Sequence, residues 1–299
     1  MDVKVFVIVV AYKGMQWYER CFESLRRSTL SVQAIVVDNS SNDGTTDYIR
    51  KNYPEIHLIE SDRNLGFGRA NNLGMRYALD HNCDYVFLLN QDTWVEPEAV
   101  ELLVKCHKGH SEFGIISPMH MSPDGNHLNF LLDDGNRNYE LLSDLYCGRV
   151  KDVYPITYVN AAAWLMPRIT LEKIGGFCPI IFHYGEDDDY MNRVRFHQLK
   201  IGLCPSSRII HDNRNALDKS AALFKKANSE KIDEYLDITK PIDLNQLKRY
   251  CLRKALVSFF RGNQVAQREC YNRYKFIKEH QKEIEDCREQ NKQLKPNWL

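Results

Sequence analysis

Residues 3–11 form an apolar, β-branched run of strand length, broken only by Lys4. A strand with one face in water alternates between apolar and polar residues. One that does not alternate must be covered on both faces, as strands are inside a parallel sheet packed by helices. Further runs of strand length stand at residues 34–37, 56–60 and 85–89, with helical patterns between them at residues 16–27, 45–52 and 67–80. This alternation predicts an α/β domain with a mostly parallel, helix-flanked sheet. In the third helical segment Phe67, Ala70, Leu73, Tyr77 and Ala78 recur at spacings of three and four, which assigns them to core packing.

The next helix is expected at residues 97–108 and the next strand at 114–117. Residues 118–156, rich in Gly, Asp and Asn and without sustained periodicity, read as an irregular insertion facing a substrate. Strands at 156–166 and 201–204 are expected on either side of Gly175-Gly176-Phe177 and an acidic helix. From about Asn215 the chain turns to long, charged helical segments. The expected division is therefore an α/β domain over 1–214 and a basic helical extension over 215–299. Residues 241–299 carry 13 Lys/Arg against 7 Asp/Glu, so within the total of 40 and 40 the preceding part carries 27 against 33. The two parts are +6 and −6, and the neutral whole gives no reason to expect nucleic acid as a partner.

The nine cysteines are scattered without a C-x-x-C pair, which fits reduced, buried thiols in a cytosolic protein better than a disulfide framework or a zinc site. No apolar run is long enough to span a bilayer, and no segment resembles a signal peptide, so the chain is expected on the cytoplasmic side.

Carboxylates follow several of the apolar runs. Asp38 ends the second strand and is followed by Asn39-Ser40-Ser41-Asn42-Asp43-Gly44-Thr45. At the carboxyl edge of an open α/β sheet such a group can accept hydrogen bonds from a base or ribose, while Asp43-Gly44 alone reads as a turn before a capped helix. Arg63-Asn64-Leu65-Gly66-Phe67-Gly68 follows the third strand and has Asn71 where a dinucleotide fingerprint needs its third small residue. An NAD site is therefore rejected, and Arg63 and Asn64 are kept as ligand contacts beside a glycine-dependent turn. Asn90-Gln91-Asp92-Thr93 projects from the fourth strand; Asp92 is an oxygen donor suited to Mg²⁺ or Mn²⁺ at a diphosphate, or part of a strand-ending turn. Glu186-Asp187-Asp188-Asp189 opens a helix, where the dipole alone favours acids. Helical spacing aligns Asp187 with Tyr190, Met191 and Val194, so Asp187 is expected to point inward with a raised pKa, as a general base requires. Glu186 would position an acceptor. His211, after Arg208-Ile209-Ile210, is either a further metal ligand or a structural histidine.

Together Val9-Val10-Ala11-Tyr12, Asp38-Asn39-Ser40-Ser41, Asn64-Leu65-Gly66-Phe67, Asn90-Gln91-Asp92-Thr93, Asn160-Ala161-Ala162-Ala163, Gly176-Phe177 and Glu186-Asp187-Asp188-Asp189 resemble the family 2 glycosyltransferases of the GT-A fold, in particular their rhamnosyltransferase-like branch. The resemblance covers about residues 3–214. It implies a GT-A, Rossmann-like sheet and inverting transfer of a sugar from a UDP-, dTDP- or GDP-linked donor to a hydroxyl of a saccharide or lipid-linked saccharide, in surface polysaccharide or glycan synthesis. It further implies that Ala11, Tyr12, Asp38, Arg63, Asn64, Asn90 and Gln91 line the nucleotide-sugar site, that Asp92 and His211 hold Mg²⁺ or Mn²⁺, and that Asp187, helped by Glu186, is catalytic. Asn90 departs from the family pattern, since many relatives carry an acid there, which weakens the expectation of tight metal binding.

Two other readings compete. A catalytically idle scaffold that binds sugar nucleotides would tolerate loss of Asp187, and a sugar nucleotidyltransferase would need a Gly-rich triphosphate loop near the first strand, which is missing. Beyond the resemblance, Leu244, Leu247, Cys251, Ala255 and Phe259 form an apolar stripe flanked by Lys248, Arg249, Arg253 and Arg261. It suits packing on the protein itself or a second subunit, or contact with an anionic membrane.

Overall fold

The computed structural model describes residues 3–129, 138–212 and 232–299. The alternation read from the sequence is present as β1 (Val5–Ala11), α1 (Met15–Arg26), β2 (Val32–Asp38), α2 (Thr45–Asn52), β3 (His57–Glu60), α3 (Phe67–Asp80) and β4 (Tyr85–Asn90). β1 pairs in parallel with β2 and β4, and β2 with β3. Successive residues of β1 enter different cores. Val5, Val7, Val9 and Ala11 join Phe22, Phe87 and Leu103 on one face; Phe6 and Ile8 join Met75, Trp164 and Tyr190 on the other. This two-sided cover explains the missing alternation in the sequence. Each such side chain contributes about 1.5–3 kcal/mol on full burial.

α3 buries Ala70 and Ala78 as expected, but Leu73 is 40% exposed. Gly74 takes the inner position instead, where a Cβ would lie 2.6 Å from Ile8 Cγ2, so the helix sits on the sheet through a bare backbone.

The second half of the sheet is mixed. β5 (Thr93–Val95), α4 (Ala99–Gly109) and β6 (Phe113–Met121) are followed by α5 (Tyr139–Tyr146), β7 (Tyr154–Pro155), β8 (Ala163–Pro167), α6 (Arg168–Ile174), α7 (Glu186–Phe196) and β9 (Lys200–His211). The strand order is β3-β2-β1-β4-β8-β6-β9-β5, with β7 on β9. β8 runs antiparallel between β4 and β6, and β5 antiparallel to β9. Three expectations are corrected. The insertion is not wholly irregular, since it carries α5, capped by Asn138 through the Leu141 N–H. The strand foreseen at 156–166 is confined to β8. The short strand at 201–204 runs on to His211 along β6, with a register shift between Pro118 and Met119.

The C-terminal part contains α8 (Ile232–Leu236), α9 (Leu244–Phe260) and α10 (Gln264–Asn291). Tyr235, Leu236, Leu244, Ile277, Ile284 and Cys287 form a third core with Cys178 and Ile181, just beyond the double glycine. Gly176 N donates to Asn297 O at 2.8 Å, and His197 Nε2 lies 2.8 Å from Asn291 O. The extension thus packs on the α/β body; the expected boundary at 214/215 lies outside the described residues. Leu244, Cys251 and Ala255 of the foreseen stripe are buried, while Phe259 is 60% exposed. The stripe up to Ala255 is a seam within the protein, and Phe259 at its end stays on a free face. All described cysteines are free, and only Cys147 is exposed. No described helix is long and apolar enough to cross a membrane.

Candidate functional site

Parallel register brings Ala11 level with Asp38, and Val10 level with Asn90, at the carboxyl edge of the sheet. Asp38 is buried. Its Oδ2 accepts from Ser41 N at 3.3 Å, while Oδ1 is buried without a partner. A desolvated acceptor of this kind is costly unless something donates to it. Asn39 holds the next loop by accepting from Leu65 N at 2.7 Å and donating to Asn64 Oδ1 at 3.0 Å, and Asn64 Oδ1 also accepts from Gly66 N. Gly66 has φ +80°, and a Cβ there would fall 2.0 Å from Phe182 O. Only glycine fits, and the close approach ties this loop to the segment before the acidic helix. Arg63 is exposed, its backbone held by Ser61 Oγ.

Gln91 is tied to the loop after β1. Its Oε1 accepts from Tyr12 N at 2.8 Å and its Nε2 donates to Tyr12 O at 3.1 Å. The side chain therefore fixes the loop after β1 and leaves Tyr12, 39% exposed, at the rim. Lys13, Ser40 and Asn42 near these strand ends have positive φ, a concentration of backbone strain common around ligand sites.

Asp92 and His211 come together across the β5–β9 pair, where Thr93 is level with His211. Asp92 Oδ1 is 3.5 Å from His211 Nε2, and Asp212 N donates to Asp92 O at 2.8 Å. His211 Nδ1 and Thr93 Oγ1 are buried without partners. His120 stands edge-on to His211 with ring centroids 6.1 Å apart. Its Nε2 is 3.0 Å from Ser117 Oγ. Burial, then the neighbouring His211, pushes His120 down to about 3, so its ring stays neutral. Among the described residues no three His, Cys, Asp or Glu side chains converge as a metal group. Asp92 and His211 offer one oxygen and one nitrogen donor, a set that would suit a divalent cation only if further donors came from outside the described residues.

The acidic helix begins after Tyr184 (φ 67°) and Gly185 (φ 98°), and its four acids separate by role. Asp189, not Asp187, is the innermost: it is 0% exposed and pairs with buried Arg193 at 2.9 Å. Arg193 also donates to Ile174 O and Gly176 O, so this pair anchors the helix to the double glycine. Asp187 is partly exposed and its Oδ2 accepts from Ala161 N at 3.0 Å. Burial, then the neighbouring Glu186 charge, holds the Asp187 carboxyl well above the usual range, with Asp188 adding to the effect and the Ala161 N–H opposing it. Burial, then Asp233, pushes Asp188 up to about 6. Glu186 is buried, with Oε2 unpartnered and Oε1 3.6 Å from His183 Nδ1.

One backbone segment joins these groups. Ala161 N reaches Asp187, and its neighbour Ala162 O accepts from Asn90 N at 2.9 Å. The acidic helix, the end of β4 and the Asp92–His211 pair thus share one edge, with Asp38, Asn39 and Asn64 beside it. A groove of about 1200 Å³ between Lys4, Gln33, Asp84 and Arg168 belongs to the opposite edge and holds none of the candidate residues.

Sequence reasoning missed Tyr158 and His120 and gave Asn160 no role. Burial, then the charges of Asp187, Asp188 and Glu186, pushes the Tyr158 phenol up, which places it among the acids. Asn160 Oδ1 is buried without a partner beside the same helix. The Asn160-Ala161-Ala162 motif was the available signal; nothing local marked Tyr158.

Residues 6–150 match the family described as Glycosyl transferase family 2. The chain is 28% identical over 210 residues to the low-salt glycan biosynthesis hexosyltransferase Agl10 of Haloferax volcanii, a match covering 69% of this chain and 66% of the relative. It is 24% identical over 241 residues to the N-acetylglucosaminyl-diphospho-decaprenol L-rhamnosyltransferase of Mycobacterium tuberculosis, covering 72% and 78%. Residues 1–349 of S. aureus TarS share the fold at 12% identity and a TM-score of 0.57, covering 94% of this chain and 92% of that one; for TarS in complex with UDP the TM-score is 0.51.

Proposed function

From a chain that carries a glycosyl transferase family 2 domain, we infer an enzyme that moves a sugar, with inversion, from a nucleoside diphosphate to a hydroxyl of a saccharide or lipid-linked saccharide. The observation that supports it most is the single edge shared by Asp38, Asp92 and Asp187, with unpartnered buried atoms on Asp38 and Glu186. The decaprenol-linked substrate of one relative and the UDP of TarS supply the substrate classes. UDP-, dTDP- and GDP-linked sugars are the donors to test, and the cytoplasmic face of the cell membrane is the proposed place of work.

In this reading Asp38 Oδ1 receives the nucleoside, with Ala11, Tyr12, Asn64 and Asn90 around it and Arg63 reaching the diphosphate. Gln91 acts on the nucleotide only by fixing the Tyr12 backbone. Asp92 and His211 would hold Mg²⁺ or Mn²⁺, which when bound supplies positive charge against the diphosphate. The acceptor hydroxyl lies at Asp187, oriented by Glu186. Its oxygen bonds to the anomeric carbon from the face opposite the diphosphate while the carbon–oxygen bond to the diphosphate breaks. The hydroxyl proton passes to Asp187, and the nucleoside diphosphate leaves as an anion. A carboxyl with a raised pKa is matched to that proton transfer, because a stronger base captures the proton more readily.

The test is to incubate the protein and Mn²⁺ with each donor and with simple and polyprenyl-linked saccharide acceptors, reading nucleoside diphosphate release and, by NMR, the anomeric configuration of the product. The expected result is acceptor-dependent release with an inverted product. A retained configuration, or no release with any donor, would refute the reading.

A further inference from the structure

α9 is apolar on two sides, and only one is accounted for. Leu244, Cys251, Ala255 and Ser258 turn into the seam with α10. Leu252, Leu256, Phe259 and Phe260 fall on another face at spacings of four, three and one, and they are 39, 54, 60 and 83% exposed. Val257 and, past the turn, Val265 extend this surface at 48 and 69%. Apolar side chains so exposed at the end of a helical hairpin mark an interaction site rather than chance variation.

The charge around them selects the partner. From residue 244 to 268 the chain carries Lys248, Arg249, Arg253, Lys254, Arg261 and Arg268, and no Asp or Glu. Arg249, Arg253, Arg261 and Arg268 are exposed and make no ion pair among the described residues. Arg249 and Arg253 border the Leu252–Leu256 line, and Arg261 follows Phe260 directly. Asp243 and Glu269 flank this segment, which still carries an excess of positive charge, and an isologous contact with a second copy would set that charge against its own image, which like-charge repulsion opposes. A surface that is negative and has an apolar layer beneath it satisfies both features.

We propose that the outer face of α9 and the α9–α10 turn dock on an anionic lipid bilayer, with Phe259 and Phe260 entering the headgroup boundary and the arginines meeting lipid phosphates. Contact rather than insertion is implied, since no described helix is fit to span. The proposal is independent of sugar transfer, because vesicle binding is read without substrate.

The experiment is flotation of the full chain with vesicles of phosphatidylcholine alone or mixed with phosphatidylglycerol, at 0.05 and about 1 M salt, where the screening length falls to about 3 Å. Binding is expected only to the anionic vesicles at low salt. Each basic side chain removed should weaken it about fivefold, so Arg253→Glu with Arg261→Glu should weaken it at least about 25-fold. Phe259→Ser with Phe260→Ser should abolish binding with an unchanged melting temperature, because neither ring supports the seam. Absence of wild-type binding at low salt would overturn the proposal, as would binding unaltered by both double variants. So would sedimentation showing a dimer that the Phe pair dissolves while no lipid is bound.

Discussion

Replacing Asp187 with Asn tests the assignment of the base with little disturbance to the fold. Among the described residues the carboxylate makes one hydrogen bond, from Ala161 N at 3.0 Å, and an amide oxygen can accept it equally. What is lost is the group that takes the acceptor's proton. A positioned general base contributes about 10²–10⁴-fold, so kcat should fall by that factor, about 2.7–5.4 kcal/mol of barrier at 1.36 kcal/mol per decade. Donor affinity should change little, since Asp38, Asn64 and Asp92 are untouched. In the wild type kcat should rise with pH through the raised Asp187 value, and the variant should lack that limb. Stability should move the other way. The folded protein holds this proton more tightly than the unfolded chain, so ionisation favours unfolding. That destabilisation is absent below the unfolded value near 4, grows as pH rises through the folded value and is complete above it. Asp187→Asn should therefore melt higher than wild type at neutral pH and equally at pH 3. The assays are nucleoside diphosphate release, donor titration calorimetry and thermal melts across pH. A kcat within threefold of wild type, or donor binding lost together with activity, would rule out Asp187 as the base.

Asp188→Asn should stabilise the protein through the same linkage. Its carboxyl is held at about 6 rather than near 4, so at 1.36 kcal/mol per pH unit the gain above pH 7 is at most about 3 kcal/mol; chemical denaturation at pH 3 and pH 8 checks it. Arg193→Ala strands Asp189 and should cost about 3–5 kcal/mol, whereas Asp189→Leu with Arg193→Met should recover much of that loss in the same measurement. Gly175→Ala forces a Cβ to 2.0 Å from Asn297 O at φ +81° and should cost more than about 1 kcal/mol; limited proteolysis should cut the last residues faster.

The regular parts of the fold were legible because their signals are local. α2 and α3 occupy the residues that their periodicity marked, and β1 announced its two-sided cover by lacking alternation. The antiparallel β8 was not legible, because strand direction is set by which neighbour a chain meets and no short window records it. β9 runs past the expected 201–204 because its pairing with β6 resumes at Arg208 after a register shift, which no local pattern records. In the site, Asp38, Asp92 and Asp187 each follow an apolar run or open a helix, so their position at the sheet edge could be read. Helical phase alone did not show that Asp189 would be innermost, since that depends on Arg193 one turn later finding the carbonyls of Ile174 and Gly176. Gln91 looked like a ligand contact, and only the fold reveals that Tyr12 occupies both ends of its amide. In α9 the sequence showed one stripe; the structure buries Leu244, Cys251 and Ala255 of it, and leaves Phe259 with Leu252, Leu256 and Phe260 on an exposed face.

Nucleotide binding at this sheet edge is tested most directly by calorimetric titration of the wild-type protein with UDP, dTDP and GDP, with Mn²⁺ and with EDTA, alongside Asp92→Ala. One nucleotide should bind, Mn²⁺ should tighten it, and Asp92→Ala should remove the metal effect but leave weak binding through Asp38. No binding of any nucleoside diphosphate in Mn²⁺ would contradict a nucleotide site at this edge.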